Sequence, residues 1–247
     1  MLKKINNIFL ESGIYESTFV YIYSDFRVFF ENVKFSEKKI KKFLNLFLKK
    51  NITCITPAFS YTKKGIFDVK KTKSRVGFLS NYILKNEKFV RSNHPIFSYI
   101  AIGKKKKILK NLGKSAFGKN SLHDKLLNEN CFFLNFNRPL KDGNTLMHHI
   151  EQKNKVNYRY EKIFQTKVYE NNKFLGKNFK AFVRKNMKNN YSIGTFNKVL
   201  KKIKNKKYFF KKNIGKMEIC IYSYDSFYKD LDNIHKNNTK IFIKGKF

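Results

Sequence analysis

Apolar positions along the chain recur with two periods, and the change from one to the other outlines the fold. Ile5, Ile8 and Phe9 sit at helical spacing over residues 3–12, with Gly13 as a stop, which predicts a short opening helix. Residues 17–23, Ser-Thr-Phe-Val-Tyr-Ile-Tyr, are β-branched and aromatic without polar alternation, the pattern of a strand buried on both faces and ended by Ser24-Asp25. From Ser36 a capping hydroxyl and an acid in the first turn lead into Ile40, Phe43, Leu44 and Phe47 on one helical face. Residues 52–56 read as a second buried strand closed by Pro57, which has no N–H to give a sheet. Strand, helix and strand in this order make an α/β unit.

The alternation continues with helices expected over 76–84 and 122–127 and strands over 97–102 and 131–136. Residues 163–173 predict antiparallel strands turning at Asn171-Asn172. A helix over 192–203, a strand over 217–223 and a closing helix over 226–235 complete the pattern. No repeat or linker interrupts it, so residues 1–247 are expected to form a single α/β domain. Its architecture would be a mixed central β-sheet flanked by helices on both faces, with a strand order that the pattern does not fix.

Composition supports a packed core: 42 % of residues are hydrophobic and 17 % aromatic. Charge complicates the picture, because 54 basic and 17 acidic residues leave a net charge of +37. Nucleic acid is one reading of that balance, helped by 27 Phe and 14 Tyr that can stack on bases. Against it, the excess is almost all Lys, in step with Asn, Phe, Ile and Tyr, while Arg, the better phosphate and guanine ligand, is sparse. That uniform drift points to compositional bias, or to small anionic partners, more than to a nucleic-acid surface. The Lys104–Lys107 run reads as a solvated face or as a contact for phosphates of a coenzyme. Cys54, Cys131 and Cys220 are an odd number without metal-ligand spacing, so a reducing compartment without a bound metal is expected. The N-terminal residues lack a continuous apolar run, and no stretch approaches membrane-span length, which predicts a cytoplasmic protein.

The chemistry concentrates in residues 142–151, Asp-Gly-Asn-Thr-Leu-Met-His-His-Ile-Glu. Asn144 or Thr145 suits the cap of a helix running through Glu151, which sets His148 and Glu151 three residues apart on one face. A carboxylate that orients an imidazole makes it a candidate general base at neutral pH. Taken alone, a His-x-x-Glu pair on a helix is more often a solvated surface pair than a catalytic one.

Asp142, Asn144, Thr145, His148 and Glu151 fill the fixed positions of an Asp-x-Asn-Thr-x-x-His-x-x-Glu signature. Arg91-Ser92-Asn93-His94-Pro95 and Phe117-Gly118-Lys119-Asn120-Ser121 supply two further elements, and Pro57-Ala-Phe-Ser60 and Val76-Gly77 two more, in matching order. Together they make the chain, over roughly residues 5–235, resemble the aminoglycoside 3-N-acetyltransferase family. The resemblance implies acetyl-coenzyme A as co-substrate and N-acetylation of a small-molecule amine. It implies His148, Glu151, Asp142 and Thr145 as catalytic residues, and Ser24, Ser92, His94 and Ser121 as contacts for the coenzyme. The family's first strand commonly ends in His-Ser-Ser, where this chain has Tyr23-Ser24-Asp25, so Asp25, with Asn144, is expected to face the acceptor.

The positive charge favours an anionic acceptor, a nucleotide-linked amino sugar of surface-polysaccharide assembly, over a polycationic aminoglycoside antibiotic. A nucleic-acid-binding protein without activity is the rival from another class. Of the other histidines, His94 before Pro95 either holds a turn or joins the site. His149 is expected to be solvated, and His123 and His235 to be surface or capping residues. Cys54, inside a strand, reads as core and not as an acyl carrier.

Overall fold

A computed structural model of the chain describes residues 1–26, 37–140, 144–185, 196–203 and 206–243. Helix α1 (Leu2–Glu11) buries Ile5, Ile8 and Phe9, and the chain turns through Gly13, at φ +70°, toward β1 (Phe19–Ser24). Helix α2 (Glu37–Leu48) buries the four apolar residues that the helical spacing selects, and returns the chain to β2 (Thr53–Pro57). Strands β1 and β2 are parallel neighbours, as a helical crossover requires. The expected cap at Ser36 and the start of the helix expected at 192 lie outside the described residues.

Short β3 (Ile66–Asp68), helix α3 (Phe78–Asn86), β4 (Val90–Arg91) and β5 (Tyr99–Ile102) follow. Helix α4 (Leu122–Leu126) precedes β6 (Cys131–Phe136), and α5 (Leu146–Lys153) carries the signature histidine. Then come β7 (Arg159–Phe164), β8 (Lys167–Glu170), β9 (Lys173–Gly176), β10 (Phe179–Arg184), α6 (Asn197–Ile203), β11 (Phe209–Ile214), β12 (Met217–Ser223) and α7 (Tyr224–Asn237). Among the described residues no helix is long and apolar enough to cross a membrane.

Seven strands form the central sheet in the order β11-β12-β6-β1-β2-β5-β4. Its middle, β6-β1-β2, is parallel, and its flanks are antiparallel, so the sheet is mixed as expected. Alternate residues of β1 feed two cores. Phe19, Tyr21 and Tyr23 face α4, α5, α6 and α7, whereas Val20 and Ile22 face α1, α2 and α3. A strand with helices on both sides has no solvent face, which is why its sequence shows no polar alternation.

Two smaller sheets lie apart in pairing, β10-β7 and β3-β8-β9. The β8–β9 hairpin turns at Asn171 and Asn172, whose φ of +50° and +63° fit a tight turn with two left-handed residues. Strands β7, exposed along most of its length, and β11, exposed over half of its length and nowhere fully buried, have no counterpart in the apolar pattern. The strand expected from Phe97 begins at Tyr99, after a turn held by His94.

Candidate active site

The C-terminal ends of β1 and β2 open into a cleft of about 210 Å³. Tyr23 and Ser24 line it from β1, Thr56 and Pro57 from β2, Val76, Gly77 and Leu79 from the entry and first turn of α3, and Asn144, Thr145, Met147 and His148 from the start of α5. Phe59, Tyr61 and Arg138 complete the wall, and Arg138 is the only charged side chain among the described lining residues besides the titratable His148. Parallel strand ends are where α/β sheets leave a crevice, because neighbouring connections diverge there.

Helix α5 begins by the local rule read from its sequence. The side-chain oxygen of Asn144 accepts the backbone N–H of Leu146 at 3.0 Å, so Asn144 is the capping side chain and Thr145 makes no such bond. One turn on, Nδ1 of His148 meets Oε2 of Glu151 at 2.9 Å. Glu151 is fully buried and is also gripped by Arg159 of β7, with Nε at 2.8 Å, and by the hydroxyl of Tyr158 at 3.0 Å.

Burial alone would raise the Glu151 carboxyl, but hydrogen bonds and charges from His148 and Arg159 outweigh it and hold the group below the usual range. His148 is lowered from its ordinary value by burial first and by the Arg159 cation second, with Glu151 opposing both. Nη2 of Arg159 lies 3.0 Å from the same Nδ1, so the two neighbours favour opposite tautomers: the one that gives its Nδ1 proton to Glu151 carries its lone pair on Nε2, and the one that accepts from Arg159 carries its proton there. The first is the form a general base needs.

Behind the cleft lies a buried polar cluster around Thr145. Its hydroxyl is 2.7 Å from that of Tyr23, 2.9 Å from Nε2 of His123, 3.3 Å from the hydroxyl of Tyr21 and 3.4 Å from that of Tyr99. The other ring nitrogen of His123 meets the hydroxyl of Tyr224. Only Tyr23 and Thr145 of this cluster reach the cleft.

The remaining expected site residues divide. Ser24, Asn144 and Thr145 line the cleft with His148, whereas Asp25 does not, although it follows Ser24 directly. Asp142 lies outside the described residues. Ser92, His94 and Ser121 gather at a separate, water-sized cavity. There the hydroxyl of Ser92 accepts the Tyr99 N–H, and that of Ser121 caps α4 through the Asp124 N–H. Of these implied coenzyme contacts, therefore, only Ser24 shares the cleft with His148. His94 holds a turn, its Nδ1 accepting the N–H groups of Ile96 and Phe97 and its Nε2 meeting the Lys180 carbonyl.

Three further histidines also differ from expectation. His149, His123 and His235 are all buried, at 3 %, 0 % and 0 % exposure. Nδ1 of His149 accepts the Gly118 N–H at 3.2 Å, and His235 meets the Asn154 side chain. Polar neighbours in sequence made them read as surface residues, and packing of α4, α5 and α7 over the sheet buries them. Cys54, Cys131 and Cys220 are free and buried, and burial raises each thiol, Cys220 to about 12. Sequence reasoning missed Tyr23, His123, Tyr158 and Arg159 as parts of the site. Only the Tyr23 departure from the family pattern signalled any of them.

Residues 48–232 match the family described as aminoglycoside 3-N-acetyltransferase. No curated protein sequence matches the chain. Among solved structures, the YokD protein from Bacillus subtilis superposes with a TM-score of 0.77 at 16 % identity, over 96 % of this chain and 93 % of that one. AAC-IIIb with CoASH gives 0.78 at 14 % identity over 95 % and 96 %. Sisomicin-bound AAC-VIa gives 0.78 at 10 % identity over 95 % and 97 %. At these identities the likeness is one of fold.

Proposed function

This chain belongs to the aminoglycoside 3-N-acetyltransferase family and is an acetyltransferase, and from that premise we propose that it moves the acetyl group of acetyl-coenzyme A onto an amine of an aminoglycoside, with His148 as general base. The observation that carries the assignment of roles is the pairing of partly exposed His148 with fully buried Glu151, which in the tautomer that donates from Nδ1 to the carboxylate leaves Nε2 for chemistry beside the cleft.

The amine nitrogen attacks the thioester carbonyl carbon while Nε2 of His148 takes a proton from it. The new N–C bond forms, the C–S bond breaks, and the proton passes to the departing thiolate, releasing free coenzyme A. Glu151, held by Arg159 and Tyr158, favours the tautomer with its lone pair on Nε2 and balances the ring's transient charge. Pro57, Phe59, Leu79 and Met147 give the cleft an apolar wall that limits hydrolysis of the thioester. Ser24, Tyr23 and Thr145 bring hydroxyls to the same wall, and a developing oxyanion needs such donors. The residues thus fit the thioester end of the co-substrate. Three buried free thiols suit a reducing cytoplasm, where we place the protein.

An aminoglycoside replaces the anionic amino sugar that net charge suggests, because the matched family is described by that acceptor and AAC-VIa binds sisomicin. One observation keeps the second reading in the test: no carboxylate lines the cleft among the described residues, and Arg138 does. Thiol release from acetyl-coenzyme A, measured against sisomicin, gentamicin, apramycin and a nucleotide-linked amino sugar, separates the two. Turnover with an aminoglycoside is expected. Turnover with the nucleotide sugar alone would reverse the acceptor, and none with any amine would overturn the reading.

A further inference from the structure

We propose that the hydroxyl of Tyr23 donates the hydrogen bond that stabilises the oxyanion, and that Tyr224 and His123 act as positioning residues that turn its proton toward the cleft. The inference rests on the acetyl-transfer reading above and adds the electrophilic half of the site.

The direction of the chain of hydrogen bonds is set at its buried end. Tyr224 is fully buried, and among the described residues its hydroxyl meets one partner, Nδ1 of His123. Were that nitrogen protonated, the Tyr224 proton would have no acceptor, a cost that a buried hydroxyl avoids. Tyr224 therefore donates to Nδ1, and His123, neutral in its buried setting, carries its single proton on Nε2. That proton goes to the Thr145 oxygen at 2.9 Å.

Thr145 passes the direction on. Its oxygen also receives the Tyr99 proton at 3.4 Å, which fills both lone pairs, and its own proton goes to the nearest oxygen, that of Tyr23 at 2.7 Å. The backbone N–H of Thr145 is donated to the same Tyr23 oxygen at 3.1 Å. Tyr21 completes the cluster, 3.2 Å from Tyr23, 3.3 Å from Thr145 and hydrogen-bonded to Tyr99. The two donors of Thr145 thus fill the lone pairs of the Tyr23 oxygen. Tyr23 is then left to act as a donor through its own proton, and it lines the cleft.

A phenol that accepts several hydrogen bonds is a stronger donor through the one it makes. Arg138 lies over the Tyr23 ring at 5.6 Å from its centroid, and a cation there favours negative charge on the oxygen that the phenol contacts. Thr145, the hydroxyl that the signature suggests, orients the donor and spends its own proton on Tyr23.

The test is a double-mutant cycle read by thiol release, with Tyr23→Phe, Tyr224→Phe and the pair. Tyr23→Phe is expected to lower kcat by ~10² to 10³ with KM for both substrates little changed. Tyr224→Phe, which touches no substrate, is expected to lower kcat by roughly 3- to 10-fold in the parent and to have no effect once Tyr23 is Phe. Thermal unfolding of each variant identifies any that is not folded, and His123→Phe then replaces Tyr224→Phe at the far end of the chain. A wild-type enzyme that turns over while Tyr23→Phe keeps its kcat overturns the oxyanion role. Equal losses from Tyr224→Phe in both backgrounds overturn the positioning role. A wild-type protein inactive on every amine overturns the parent reading, and this one with it.

Discussion

Acid should unfold this protein through its buried histidines, and the size of the effect follows from the structure. His94 and His149 are 5 % and 3 % exposed, and burial lowers each from 6.5 to about 4. Above pH 6.5 both rings are neutral whether the chain is folded or not, so the whole of their contribution is present. As pH falls below 6.5 the unfolded chain takes up protons that the folded chain refuses, and stability is lost until the folded value near 4 is passed. Each ring then costs ~1.4 kcal/mol per pH unit, about 2 kcal/mol by pH 5, so the pair removes ~4 kcal/mol. Domains commonly hold only ~5 to 15 kcal/mol in all. Urea unfolding at fixed salt between about pH 7 and pH 5 measures the slope. His149→Asn keeps an acceptor for the Gly118 N–H and removes the titration, so its slope should be shallower than the parent's by ~1.4 kcal/mol per pH unit. An unchanged slope in that variant would refute the reasoning, whatever its absolute stability.

The catalytic assignment makes its own predictions. His148→Ala should lower turnover by ~10² to 10⁴ while coenzyme A affinity, followed by calorimetry, stays near the parent's. Because His148 is lowered from 6.5, kcat/KM should hold as pH passes 6.5 and fall only at lower pH, where the ring takes up its proton. Glu151→Gln, which leaves the Arg159 cation beside the ring uncompensated, should move this limb to still lower pH. Cys54→Ser, Cys131→Ser and Cys220→Ser should each keep most activity, and intact mass after incubation with acetyl-coenzyme A alone should show no acetyl adduct. Gly103→Ala should destabilise the fold by ~1 to 3 kcal/mol in urea, since a Cβ at φ +115° would lie 2.9 Å from the Thr53 Cα.

What the sequence made legible was whatever depends on near neighbours. β1 and α2 are buried by their own spacing, and the His148–Glu151 pair needs one turn of helix. Arg159 and Tyr158 reach Glu151 only because the chain reverses after α5, and no local spacing encodes that. His94 and Ser24 line different cavities, and order along a motif list is not proximity. Strands β7 and β11 escaped because Lys and Glu fill their middles, erasing the period of two on which the reading relies. His123, beside Asp124 and Lys125, looked solvated for the same reason that His149 did. Amphipathic pattern reports the average face of a helix and not the fate of one polar residue on it.

The net charge misled in a related way. A total of +37 describes the field far from the protein, and beyond ~8 Å that field is screened at physiological ionic strength. Lysines occur on helices of both faces of the sheet and on the edge strand β11, yet none lines the cleft among the described residues. The cleft presents Arg138, the neutral imidazole of His148, and a wall of aromatic rings and hydroxyls. The buried acid nearest the chemistry, Glu151, is fully matched by Arg159, His148 and Tyr158, so it projects little charge outward. Choice of acceptor is therefore a matter of contacts made inside the cleft, and a salt series would report encounter with the surface and not that choice. Exchanging Arg138 is the sharper probe: Arg138→Gln removes the one permanent charge of the described wall, and should improve KM for a polycationic acceptor while worsening it for an anionic one. A variant that moves neither KM would show that the acceptor binds beyond the reach of Arg138.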